Sequence, residues 1–196
     1  MTAEQFWNEF KKIFDIPSQE AIDKWNYCKD YTDFIIEKME HIIGEKGAGF
    51  ETSKEYYRID LTGWTQKRSL ILPSLNKIKN KNDYNFQPYL WDLEVAIEHE
   101  NDDRLWMDEV IKLLHISCKL KIVIGYIPLQ QKDRINEYLG FVSDSIALGG
   151  KRIHDDEQFL IILGFSKVSK DNRCQYTPYL YKNGIFEDMS NKTDWS

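Results

Sequence analysis

Cysteine is scarce: Cys28, Cys118 and Cys174 are the only three in 196 residues, widely spaced and without a C-x-x-C pair. That pattern excludes a disulfide framework and reads as reduced thiols. Long apolar runs are missing too. The longest, 159–165, falls far short of the ~20 residues a membrane helix needs. The N-terminus, Met1-Thr2-Ala3-Glu4, lacks the basic region, apolar run and small-residue cleavage site of a signal peptide, so a cytoplasmic location is expected. Excess positive charge is absent as well. Lys and Arg number 26 against 32 Asp and Glu, a net charge of -6, which excludes a protein that coats nucleic acid by charge alone. Ser145 and Ser166 lie outside any G-x-S-x-G elbow, and Gly140, Gly149 and Gly150 form neither a P-loop nor a dinucleotide fingerprint.

What remains is 42% hydrophobic and 14% aromatic, enough to bury one core. No internal repeat, low-complexity tract or linker interrupts it, so 1–196 reads as a single domain. Thr2 to Gln5 has the pattern of a capping box, and Phe6, Phe10 and Phe14 recur at helical spacing. Pro17 ends that helix. Ser18 caps a second helical region carrying Ile35, Met39, Ile42 and Ile43 as a buried stripe, bent or broken near Tyr31 and stopped by Gly44 and Gly47. Residues 55–64 read as one strand, with Tyr57, Ile59 and Leu61 on its apolar face, and a further strand at 50–53 precedes it.

Residues 91–100 alternate again, with Leu93, Val95 and Ile97 opposite Asp92, Glu94, Ala96, Glu98 and Glu100. Asn101, Asp102 and Asp103 offer helix caps before the stripe of Trp106, Val110, Leu113 and Leu114. The nearly continuous apolar run 120–127 suits a central strand covered on both faces. Ile135, Leu139, Val142 and Ile146 mark another helix, 159–165 a buried strand, and 176–186 a hairpin turning at Asn183-Gly184. The expected fold class is therefore α/β, a mixed central sheet with helices on both faces.

Two features carry chemistry. Between 66 and 82 the chain holds Lys67, Arg68, Lys77, Lys79 and Lys81 and no acid, with Tyr84, Phe86 and Tyr89 following. Such a segment can neutralise phosphates and stack bases, or simply be a solvated insertion. The second feature is acidic. If the strands at 55–64 and 91–100 are neighbours, Asp60 converges with Glu94, Glu98 and Glu100. Carboxylates side by side repel, a conflict that Mg²⁺ or Mn²⁺ with oxygen ligands resolves. A solvent-exposed acidic face is the alternative for each Glu taken singly. His99 points away from Glu98 and reads as a packed or surface histidine; Glu109 could face the acidic strand from its helix but reads rather as a helix-surface residue.

The run Arg58-Ile59-Asp60-Leu61, then Leu93 to Asn101 with Glu98-His99-Glu100, an amphipathic helix and the strand 120–127, resembles the PD-(D/E)XK nuclease superfamily, which includes type II restriction endonucleases. The resemblance covers about 31–127 and leaves 128–196 as a C-terminal extension with extra strands. It implies a restriction-endonuclease-like α-β-β-β-α-β core, a metal-binding Asp on one strand and E-x-K on the next. Carried onto this chain, Asp60 and Glu98 would hold Mg²⁺ or Mn²⁺, and Glu100 would stand where the family usually has Lys. Glu100 would complete the metal shell or orient water, or Lys112 would bring the positive charge from the following helix. Glu94 is the competing register for Glu98.

The implied activity is Mg²⁺-dependent hydrolysis of double-stranded DNA, with the segment 66–89 contacting DNA and a homodimer serving two strands. A non-catalytic descendant of the same fold that binds a protein or nucleic-acid partner is the alternative.

Overall fold

The computed structural model describes residues 1–14, 18–25, 28–44, 47–56, 58–65, 93–150, 153–166 and 175–190. The elements in chain order are α1 (Ala3–Phe14), α2 (Gln19–Lys24), α3 (Cys28–Ile43), β1 (Glu51–Tyr56), β2 (Ile59–Trp64), β3 (Leu93–His99), α4 (Trp106–Leu113) and β4 (Leu120–Pro128). A 3₁₀ turn (Leu129–Arg134), α5 (Ile135–Leu148), β5 (Gln158–Ser166), β6 (Thr177–Lys182) and β7 (Ile185–Asp188) follow. Among the described residues no helix is long and apolar enough to cross a membrane.

The seven strands form one sheet in sequential order. β3, β4 and β5 run parallel in the centre, and the outer pairs are antiparallel. Parallel neighbours cannot be joined by a tight turn, so each needs a crossover, and α4 and α5 supply the two. Alternation along the central strands divides the core. Leu120, Ile122, Ile124 and Tyr126 of β4 join Leu160 and Ile162 of β5 under α1 and α3. Val123 and Ile127 join Phe159, Ile161, Leu163 and Phe165 under α4 and α5. The fold class is thus mixed α/β with helices on both faces of the sheet.

Several local signals act as read. Thr2 N–H donates to Gln5 Oε1 at 2.8 Å and Gln5 N–H returns to Thr2 Oγ1 at 3.2 Å. Ser18 Oγ accepts from Ala21 N–H at 3.1 Å. Asn183 and Gly184 turn the last hairpin at φ 51° and 90°.

Others are corrected. The single strand expected at 55–64 is the end of one strand and all of the next. β1 runs to Tyr56, Tyr56 pairs with Ile59, and Arg58 sits at φ 64° in the turn between. An arginine there carries none of the Asn-Gly or Asp-Gly signal by which a tight turn is found. Ile59 and Leu61, read as one face, pack into different core clusters, Ile59 with the α4–α5 layer and Leu61 with the α1–α3 layer. The helical region expected to bend or break near Tyr31 breaks earlier: α2 ends at Lys24 with Trp25 as its C-cap, and α3 runs through Tyr31 from Cys28 to Ile43. Asn101, Asp102 and Asp103 do not cap α4, whose N-cap is Leu105. Asn101 bonds Thr32 of α3, Asp102 turns back on Arg104, and Asp103 accepts from Ser166 Oγ at 2.7 Å.

The seating of α4 depends on one missing side chain. A Cβ on Gly125 of β4 would stand 2.5 Å from Trp106 Cβ and 2.9 Å from its Cγ, so the indole enters the space that glycine leaves. Gly125→Ala is therefore expected to lower stability by about 1–3 kcal/mol, read from the denaturant midpoint, through overpacking. An unchanged midpoint would show that Trp106 does not depend on this gap.

Candidate functional site

Two carboxylates meet where β2 and β3 part. Leu61 faces Ile97 and Thr62 faces Ala96, which sets Asp60 across from Glu98 on the same face of the sheet. The paired register ends at Leu61–Ile97. His99, the next residue of β3 whose amide is directed toward β2, donates its backbone N–H to Asp60 Oδ2 at 2.7 Å. A side chain thus takes the place of a main-chain acceptor. The same register sets Glu98, and not Glu94, opposite Asp60. Glu94 lies at the far end of β3, with its carboxylate 2.9 Å from Lys119 Nζ, while Glu98 faces Asp60.

The helix after β3 completes the cluster. Trp106, Val110 and Leu113 are the buried stripe of α4, and this leaves Glu109 and Lys112, three residues apart, on its flank. Lys112 Nζ lies 2.9 Å from Oε1 of Glu98, touches Glu109, and donates to the Arg58 carbonyl at 3.0 Å. One ammonium therefore joins β3, α4 and the β1–β2 turn. Glu109, expected on the helix surface, is instead directed at this cation.

Burial decides the protonation chemistry. Glu98 is 1% exposed. Its pKa is pushed from 4.5 up to about 8 by burial, helped by the negative Asp60 and Glu109 and opposed by Lys112. Asp60 is also raised, by burial first, with the His99 amide pulling it down. Burial works against the Lys112 ammonium, yet its contacts with Glu109 and Glu98 outweigh that and hold its pKa above the ordinary value.

Oε1 of Glu98 and Oε2 of Glu109 are buried and lack a well-directed hydrogen bond among the described residues. Their contacts with Lys112 are close ionic ones without hydrogen-bond alignment. Buried carboxylate oxygens short of compensation are the donors a divalent cation takes. The pair Asp60 and Glu98 fits an open Mg²⁺ site, since that ion binds through one or two carboxylates and keeps water elsewhere. Among the described residues no group of three His, Cys, Asp or Glu side chains is gathered to hold an ion.

Glu100, expected beside Asp60 and Glu98, continues the ladder with its amide to Ile124 O at 2.9 Å, and its Oε1 accepts from Asp102 N–H at 2.7 Å. Lys67, Arg68, Lys77, Lys79 and Lys81 lie outside the described residues. The Arg58 carbonyl is a participant that sequence reasoning missed, because only the turn at positive φ brings it to Lys112. No protein-family model, curated protein or solved structure matches the chain.

Because the folded chain favours the protonated form of Glu98, ionisation costs stability. Below about pH 4.5 both folded and unfolded states hold the proton and nothing is lost. Between pH 4.5 and about 8 the unfolded chain ionises first and stability falls, and above that the loss is complete. Glu98→Gln is therefore expected to flatten the decline in Tm between pH 5 and 8.5, and to stabilise the metal-free protein at the upper end by about 1–3 kcal/mol. A variant less stable than wild type at pH 8.5 would show that the Lys112 contact outweighs the burial cost.

Proposed function

We propose that the chain is a Mg²⁺-dependent endonuclease of restriction-endonuclease-like fold that hydrolyses DNA phosphodiester bonds. The observation that carries the reading is Asp60 facing Glu98 across neighbouring antiparallel strands, with the Lys112 ammonium brought to Glu98 by the next helix. The order α3, β1, β2, β3, α4, β4 supports it, since it follows the α-β-β-β-α-β core of the PD-(D/E)XK superfamily.

The departure at Glu100 has a physical answer in this reading. The family's lysine follows its glutamate by two positions on the strand. Here that position carries Glu100, whose carboxylate is engaged by Asp102, and Lys112 delivers the positive charge from α4. Asp60 and Glu98 would hold Mg²⁺, which when bound would acidify an attacking water and offset charge developing on the phosphodiester. Lys112, released from Glu98 by that exchange of partners, would place its charge beside a phosphodiester oxygen. The Asp60 carboxylate would keep its orientation through the His99 amide. The segment with Lys67, Arg68, Lys77, Lys79 and Lys81 would bind the DNA backbone, and a homodimer would serve the two strands.

A second reading draws on the burial of Glu98 and its existing contact with Lys112. In it the lysine permanently replaces the metal, and the domain binds a protein or nucleic-acid partner without catalysis.

Incubation of supercoiled and linear DNA with Mg²⁺ or Mn²⁺ separates the two. The nuclease reading expects metal-dependent cleavage that Asp60→Asn abolishes and Lys112→Met slows by about a hundredfold or more, with circular dichroism unchanged. Cleavage that survives Asp60→Asn would overturn this site as its source, and intact DNA at every metal concentration would overturn the nuclease reading in favour of partner binding.

A further inference from the structure

Behind the carboxylates, on the α1–α3 face of the sheet, lies a line of polar groups in an otherwise apolar core. His99 Nε2 is 3.0 Å from the Tyr126 hydroxyl. The hydroxyls of Tyr126 and Tyr176 are 3.1 Å apart, and those of Tyr176 and Tyr31 2.8 Å. These groups come from β3, β4, the residue just before β6 and α3, so the line ties four parts of the chain together. Aromatic edges enclose it. Trp25 meets Tyr31 at 4.6 Å and Tyr126 at 5.4 Å, and Phe10 and Phe14 of α1 meet Tyr176 at 5.1 and 5.7 Å. β5 makes room for it: a Cβ on Gly164 would stand 2.9 Å from both the Tyr126 and Tyr176 rings.

Burial disfavours protonation of the His99 ring, whose Nδ1 is buried with no partner among the described residues. An unmet acceptor is tolerated better than an unmet donor, which favours the tautomer with the proton on Nε2, facing Tyr126.

Two opposed tasks meet in His99. Its ring ends this line on one face of the sheet, and its backbone N–H holds Asp60 Oδ2 beside Glu98 on the other. Beyond Leu61–Ile97 the described residues form no further pair between β3 and β2, and β4 holds this end of β3 from the other side through His99–Ile124.

We propose that His99 is a positioning residue, whose ring, anchored through Tyr126, Tyr176 and Tyr31, fixes the end of β3 so that its amide orients the Asp60 carboxylate toward Glu98. The proposal rests on the reading of Asp60 and Glu98 as a cation site. Its geometric part, the hold of the His99 amide on Asp60, is testable without any metal.

The test uses the full chain as wild type, Tyr126→Phe, Tyr31→Phe and Asp60→Asn. Amide NMR of the metal-free proteins reads the geometry, and calorimetric titration with Mn²⁺ reads the site. In Tyr126→Phe the His99 amide proton is expected to shift upfield and exchange faster with solvent, while the Ile97 and Ile122 amides stay as in wild type. A purely structural role for the tyrosine would move all three together. Mn²⁺ affinity should fall roughly tenfold to a hundredfold, the effect typical of groups that orient a ligand from behind. Tyr31→Phe, at the far end of the line, should shift the His99 amide in the same direction by less, and it serves as the probe if Tyr126→Phe fails to fold.

An unmoved His99 amide in the folded variants would overturn the proposal. So would wild-type Mn²⁺ affinity in those variants while Asp60→Asn loses binding, and in that case the cation site would stand. Absence of Mn²⁺ binding in wild type would instead overturn the cation-site reading, leaving the His99 amide to decide the positioning claim.

Discussion

The site depends on a hydrogen bond that the sheet does not make. At the end of the β2–β3 ladder the His99 amide is met by the Asp60 carboxylate in place of a main-chain carbonyl. A backbone donor at a strand end must find an acceptor, since leaving it buried and unmet costs about 1–3 kcal/mol. Two residues before Asp60, the Arg58 carbonyl accepts from Lys112, and one ammonium bridges strand, helix and turn.

The two faces of the sheet contribute unlike things to this point. On one, the gap above Gly125 admits Trp106, and the short helix α4 is thereby held where Glu109 and Lys112 reach the carboxylates. On the other, the hydroxyl line from Tyr31 to His99 occupies the apolar layer and restrains β3 from behind. Lys112 is shared by Glu98 and Glu109, with Asp60 beside them, and burial raises Glu98 to about 8. Such an arrangement is costly as a stability device, because buried ion pairs seldom repay their desolvation. The proposed cation site would give these acids a role that packing does not.

Much of this was legible in the chain. The period-two pattern at 91–100 and the unbroken run at 120–127 become β3 and β4, and the helical stripe from Trp106 becomes α4. The alternation sets His99 on the face opposite Glu98, and the pairing of β2 with β3 then brings Asp60 and Glu98 to neighbouring strands. What was hidden lies in residues whose roles are decided by tertiary neighbours. Arg58 turns the chain at positive φ without a turn signature, so a hairpin reads as a strand. Asp102 has the composition of a cap but pairs with Arg104. Glu109 looks like any exposed helical acid until α4 is docked, and Tyr176 gives no sign of its partners, which lie 50 and 145 residues away in sequence.

The most direct measurement of the central claim is the titration of the Glu98 side-chain carboxyl by ¹³C NMR, without and with saturating Mg²⁺. The account predicts a midpoint near 8 in the metal-free protein, falling by at least about one pH unit when the ion provides the missing counter-charge. A midpoint that is the same with and without Mg²⁺ would contradict it, and would leave Lys112 as the permanent partner of Glu98.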